Sequence, residues 1–311
     1  MDKLSFTSAS TMPIKLLQCK EAIVEHNIVP YHIQLIPTNR CNANCPWCSC
    51  KGVDRQLELP VEEIIEILHY FKKLGTKAIT ITGGGEPSLH KFINNILVVC
   101  HRLDIDIGVV SNGIIWSEKN FEVVNDYATW SRISITDTIG DYPMERVQKY
   151  ADNLKNVEVG VSFTVTDQVN LKTARAVCEL AESQHNMTHI RFVEDILNAC
   201  PESMAEVEAV CSFSNKAIFQ GRSAFTTGQK HCHISKLKPV INADGNIFPC
   251  CGVQYATDDL KKMPKACSMG HWSTFHTMPI FDGRVCKKCY YSDYNKALEL
   301  MTTPVKHERF L

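Results

Sequence analysis

Four cysteines fall within the ten residues 41–50, CNANCPWCSC. Cys41, Cys45 and Cys48 follow a C-x3-C-x2-C spacing. Thiolate is the soft ligand that iron–sulfur clusters select. Three thiolates on one short loop can hold three irons of a 4Fe–4S cube and leave the fourth iron open to an outside ligand. Zinc competes for such a set, but structural zinc wants a fourth protein ligand close by, which Cys50 could supply. Farther along, Cys232 and Cys250 are spaced C-x17-C, and Cys286 and Cys289 are spaced C-x2-C. Four thiols in two pairs would also serve a zinc ribbon, with Cys251 and Cys267 as spare candidates. Cys100 and Cys178 lie on apolar helical faces, and Cys19, Cys200 and Cys211 have no partner at ligand spacing. All five read as small core residues.

The chain has fifteen cysteines in 311 residues. An odd count behind an N-terminus without the apolar stretch of a signal peptide speaks against a disulfide framework and points to a cytoplasmic setting. Hydrophobic residues make up 44% and charged residues 22%, as in an ordinary globular protein. A net charge of -1 provides no global basic field, so neither nucleic acid nor an anionic membrane is an expected partner. No apolar run reaches transmembrane length.

These thiols need a scaffold, and the pattern supplies an alternating one. Strand-like runs at 31–37, 77–82, 105–111, 131–136, 157–166 and 189–195 are separated by helix-like segments. In the segment 60–75, Val61, Ile64, Ile65, Leu68 and Phe71 share one face, with Pro60 at the start and Gly75 at the end. Such alternation implies right-handed parallel crossovers, either an open sheet or a partial (β/α)6 TIM-like barrel, with ligands at the carboxyl ends of the strands. The first cysteine loop, the GGGEP turn at 83–87 and the SNG turn at 111–113 all follow strands. Beyond about residue 213 the pattern changes to a hairpin with an Asp-Gly turn (238–251) and a closing helix (286–301). The expected division is a leader over 1–30, the barrel over 31–212 and a smaller domain over 213–311.

PTNRCNANCPWC, followed by a helix, a strand and TGGGEPSLH, resembles the radical S-adenosylmethionine (radical SAM) superfamily. Its signature C-x3-C-x-aromatic-C is met by Cys41, Cys45, Trp47 and Cys48. The resemblance implies that S-adenosylmethionine binds the open iron. Its reductive cleavage, with electrons from a flavodoxin- or ferredoxin-type protein, would yield a 5′-deoxyadenosyl radical that abstracts hydrogen. It implies further that Gly83, Gly84 and Gly85 meet the methionine amino group, with Glu86 and Pro87 completing the motif. SNG is similar to the family's TNG and places Ser111 and Asn112 near the cofactor. RISIT is similar to R-x-S-x-D and places Ser134 near the ribose, although Thr136 replaces the Asp and Asp137 stands one place on. Arg191 would face the methionine carboxylate, against the simpler reading of a surface ion pair. The layout of Cys232, Cys250, Cys286 and Cys289 resembles a twitch-type SPASM domain, which implies one auxiliary 4Fe–4S cluster.

About thirty residues before the first strand leave no room for an N-terminal peptide-binding domain, which favours a small substrate. Residues 214–243 carry Lys216, Arg222, Lys230, Lys236 and Lys238 without Asp or Glu, a strip suited to an anionic group such as a nucleotide phosphate, or simply a solvated loop. His231 and His233 flank Cys232 and receive no role, and no catalytic acid or base is identified. Three functions compete. The first is dehydrogenation of a small substrate, with the auxiliary cluster as electron acceptor. The second is radical rearrangement or cross-linking of a nucleotide, modified base or peptide. The third is a zinc-stabilised binding protein without radical chemistry.

Overall fold

The structure, a computed structural model, describes residues 12–23, 27–135, 143–221, 226–255, 265–304 and 306. Parallel strands β1 His32–Leu35, β2 Ala78–Ile81, β3 Asp106–Ser111, β4 Trp130–Ile135, β5 Glu158–Val165, β6 Met187–Glu194 and β7 Ala217–Gln220 run in sequential order. At the β1 edge the sheet continues through β8 Val240–Ile241, β9 Asn246–Phe248 and β10 Gly270–His271. Among the described residues β7 and β10 stay unjoined, so the sheet forms an open, partial TIM-like barrel. The helices are α1 Met12–Gln18, α2 Val61–Lys73, α3 Ile93–Arg102, α4 Glu118–Tyr127, α5 Pro143–Asn153, α6 Leu171–Ser183, α7 Pro201–Cys211, α8 Ile234–Leu237 and α9 Ser292–Thr302.

Local chemistry accounts for these elements. Pro60 caps α2, Glu62 and Glu63 lie in its first turn, and Lys72 and Lys73 lie in its last, as the helix dipole favours. Ile64, Ile67, Leu68 and Phe71 form its buried stripe. Ile67 thus takes the buried place the periodicity gave to Ile65. Ser117 and Asn120 close a capping box on α4, and the Asn170 side chain accepts from two backbone N–H groups at the start of α6.

Side chains alternate between the two faces of the sheet, with a register shift between β5 and β6 at Val159/Gly160. Ile33, Leu35, Ile79, Ile81, Ile107, Val109, Ile133, Ile135, Val161, Phe163, Ile190 and Phe192 face the helices and build the core. The opposite, inner face carries polar side chains: His32, Thr80, Arg132, Ser134, Ser162, Thr164, His189 and Arg191.

Two features depart from the sequence reading. The pair α7–β7 adds a further strand, which pairs with β6 through Arg191↔Ile218 and Val193↔Gln220. The hairpin does not stand apart, because β8 pairs in parallel with β1. The segment after it packs on α2, where Trp272 Nε1 donates to Glu63 at 2.8 Å and the Phe275 ring lies 5.2 Å from Phe71. No helix among the described residues is long and apolar enough to cross a membrane.

Candidate functional site

The loop holding Cys41, Cys45 and Cys48 follows β1 and is stitched to the turns after β2 and β3. Glu86 N donates to Arg40 O at 2.7 Å. Arg55 Nη1 donates to Gly84 O at 2.6 Å and to Asn39 O at 3.2 Å. A Cβ on Gly84 would lie 2.2 Å from Asn39 Oδ1, and one on Gly85 would lie 2.0 Å from Arg40 O. These two glycines therefore let the chain's own 39–40 segment approach.

Glu86 is the hub of this end. Its buried carboxylate accepts from Ser111 Oγ at 2.6 Å, Asn112 N at 2.7 Å, Ser88 Oγ at 2.7 Å and Ser88 N at 3.1 Å. Asn112 Nδ2 in turn donates to Asn42 Oδ1 at 2.8 Å, inside the cysteine loop. Pro87 is buried at the start of a short 3-10 turn, and Trp47 is half-buried in the loop. The GGGEP turn, the SNG turn and the cysteine loop are thus one hydrogen-bonded unit.

The three thiols are reduced and half-buried. Burial, then the neighbouring Cys48 and Cys41, push the Cys45 thiol up to about 11. Burial also raises Cys41. A hydrogen bond with Cys50, assisted by Arg55, lowers Cys48. Cys50 itself is buried, with its thiol 3.9 Å from Gly83 O, so it is packed beneath the GGG turn.

Ser134 lies on the inner face in register with Ser162, and Ser162 is in register with Arg191. Arg191 donates through Nε and Nη2 to Gln220 Oε1 on β7. Thr136, Asp137 and Arg222 lie outside the described residues. The remaining basic strip disperses. Lys216 Nζ caps the end of α6 through Ala181 O and Gln184 O, and Lys236 donates to Phe275 O.

The second thiol set also gathers. Cys250 is raised by burial, then by Cys251 and Cys232, with Cys289 adding, and Cys286 is raised by a hydrogen bond with Cys267 and by Cys250 and Cys232. Two close backbone approaches bring the segments together. A Cβ on Gly228 would lie 2.0 Å from Gly283 O, and one on Gly283 would lie 2.6 Å from Gln229 O. His231 and His233 both bond Glu299 of α9, which anchors the segment around Cys232. Cys100, Cys178, Cys200 and Cys211 are buried; Cys19 is half-exposed.

The model of the Radical SAM superfamily matches residues 35–159. The chain carries a radical SAM domain. A curated relative, the GTP 3′,8-cyclase of Haemophilus influenzae (strain 86-028NP), is 26% identical over 186 residues, 53% of this chain and 53% of that protein. The sporulation killing factor maturation protein SkfB of Bacillus subtilis (strain 168) is 27% identical over 166 residues, 51% of this chain and 40% of that protein. The chain thus spans about half the length of the curated relatives it matches. Among solved structures, Streptococcus suis SuiB bound to S-adenosylmethionine superposes with a TM-score of 0.58 at 16% identity, covering 83% of this chain and 70% of that one. The enzyme anSMEcpe with bound AdoMet gives 0.57 at 15% identity, covering 91% and 83%. At these identities the structures establish the shared fold.

A radical SAM domain implies a 4Fe–4S cluster and S-adenosylmethionine, and the residues present fit them. The donors in the loop are all thiols. Their sulfurs are near enough to perturb one another, yet they are not drawn within the 4.8 Å span of a single ion's ligands, which among the described residues only His231, His233 and Glu299 meet. Two cations missed by the sequence reading border Cys41, Cys45 and Cys48. Arg55 acts on Cys41 and Cys48, and Arg146 of α5 acts on Cys45 while donating to Asn112 O at 2.5 Å. Neither lies in a recognisable motif, and Arg146 arrives from a helix far along the chain.

Proposed function

We propose that this radical SAM enzyme abstracts hydrogen from a small anionic substrate held inside the barrel and completes a two-electron oxidation. In this reading Cys41, Cys45 and Cys48 hold the 4Fe–4S cluster that meets S-adenosylmethionine. Cys232, Cys250, Cys286 and Cys289 hold an auxiliary 4Fe–4S cluster in a SPASM- or twitch-like segment. When bound, these groups supply a 5′-deoxyadenosyl radical and an electron acceptor, with a flavodoxin- or ferredoxin-type protein as reductant.

The observation that carries the reading is the convergence of Cys232, Cys250, Cys286 and Cys289, next to Cys251, whose thiol acts on Arg132 and Lys238. This convergence supports a second thiol centre beside the inner face. The chain's own groups do the positioning. Gly83, Gly84 and Gly85 offer backbone to the methionine amino group, and Glu86 and Pro87 fix that turn. Trp47, Ser111, Asn112 and Ser134 line the nucleoside side, and Arg191 faces the methionine carboxylate.

A second reading, cyclisation or rearrangement of a nucleotide, is supported by the relative named GTP 3′,8-cyclase. Anaerobic reconstitution followed by product mass spectrometry separates the two. The oxidation predicts about eight irons per chain, one 5′-deoxyadenosine per product and a product lighter by two hydrogens. An unchanged substrate mass favours rearrangement. Stoichiometric zinc without iron ends both readings.

A further inference from the structure

The inner face of the barrel is cationic at mid-height. Arg132 on β4 and Arg191 on β6 both point inward, and Arg132 is in register with Gly160, which is in register with His189. Lys238 precedes β8 on the far side. Pro239 O accepts from Gln34 N at 3.0 Å, and Gln34 is paired with Val240, so Lys238 continues this strand alongside His32 on the inner face. Arg132, Arg191, Lys238 and His32 all retain some solvent-accessible surface although they lie deep in the molecule.

The base of this space is filled by rings. A Cβ on Gly108 would lie 2.1 Å from the Trp130 ring, and one on Gly160 would lie 2.3 Å from the His189 ring. Each glycine thus makes room for a ring from the neighbouring strand. The Arg132 guanidinium lies 5.4 Å from the Trp130 ring centroid, and its Nε is buried without a hydrogen-bond partner.

Among the described residues, no ion pair neutralises Arg132 or Lys238. Lys238 feels Arg132, Lys15 and Arg191, and the opposing group acting on it is the Cys251 thiol. Arg132 likewise feels Arg191 against Cys251. Among the described strand residues of the inner face, the acidic ones, Asp106 and Glu158, are exposed at the N-terminal starts of their strands. Keeping Arg132 and Lys238 charged in the interior without an opposing ion is unfavourable. A bound oxyanion would remove that cost.

We propose that Arg132 and Lys238 form an oxyanion site inside the barrel, which holds a phosphate or carboxylate group of the substrate against the Trp130–His189 base. The site deepens the functional reading above, and rests on it for calling this anion the substrate's. Arg191, toward the cofactor end, adds positive potential. Long-range topology makes the site, since β4 and the segment before β8 meet only across the barrel.

The test uses the full chain with its clusters reconstituted anaerobically, so that the charge of the iron–sulfur centres is already in place. Calorimetric titration with inorganic pyrophosphate and, separately, with succinate should show one saturable site for at least one of them. Preference for pyrophosphate marks a phosphorylated substrate, and preference for succinate a carboxylate. Arg132→Met and Lys238→Met should each weaken binding at least about tenfold, and Arg132→Lys should recover most of it. Arg132→Met should also unfold at a higher temperature than the parent without anion, because a buried charge is gone. Absence of binding by both anions, or binding that survives both methionine substitutions, overturns the proposal. Failure of the radical reading would register separately, as missing iron or uncleaved S-adenosylmethionine with anion binding intact.

Discussion

Ser111 donates its hydroxyl to the Glu86 carboxylate at 2.6 Å, and both residues are buried. This bond ties the end of β3 to the turn after β2. With the Asn112 N–H on the other carboxylate oxygen, it makes Glu86 the shared acceptor of two motifs that are separate in sequence. The glutamate of GGGEP thus has a structural duty that stands whatever ligand the turn meets.

Glu86→Gln should lower stability by about 1–3 kcal/mol, because an amide cannot accept on both sides and one buried N–H or O–H group loses its partner. Denaturant titration checks this. An unchanged midpoint would mean that the hub is dispensable.

Cys286→Ala should remove about four of eight irons, the content of one cube. Cys251→Ala should retain them, since the Cys251 sulfur lies 3.6 Å from the Tyr291 hydroxyl and is satisfied there. Iron and sulfide assays after anaerobic reconstitution measure both. Loss of iron from Cys251→Ala with none from Cys286→Ala would reassign the ligands.

Gly108→Ala should destabilise the fold by about 1–3 kcal/mol, because its methyl group would lie 2.1 Å from the Trp130 ring. The thermal midpoint reports the loss. Pairing the change with Trp130→Leu should recover part of it, a coupling that a purely local backbone effect would not show.

His189 sets a pH dependence. Burial first, then Arg132 and Arg191, lowers it from 6.5 to about 3. The folded protein keeps the ring neutral where the unfolded chain takes up a proton. Stability from this group is therefore complete above pH 6.5 and is lost as pH falls toward 3, by about 1.4 kcal/mol per pH unit. His189→Asn should flatten the fall in urea midpoint between neutral and mildly acidic pH. Equal slopes in the two proteins would refute this placement of the proton.

Much of the first site was legible in the chain. Cys41, Cys45 and Cys48 share one loop, so their clustering can be read from spacing alone. The apolar stripes of α2, α3 and α6 and the strands between them follow from local periodicity, which needs no knowledge of distant residues. The strand β7 escaped notice because the four residues Ala217–Gln220 carry too short a pattern to show a period.

By itself, then, the sequence determined the clustering of thiols on one loop and the alternating architecture, since both depend on neighbours within a turn or a loop. The tertiary structure decided which polar residues share a space. Lys238 read as part of an exposed strip, and Arg191 as a possible ion pair, because a basic side chain looks the same in sequence whether it faces water or a barrel interior. Strand register and the pairing of β8 with β1 bring Lys238 opposite Arg132, and contacts between residues more than a hundred places apart leave no local signature.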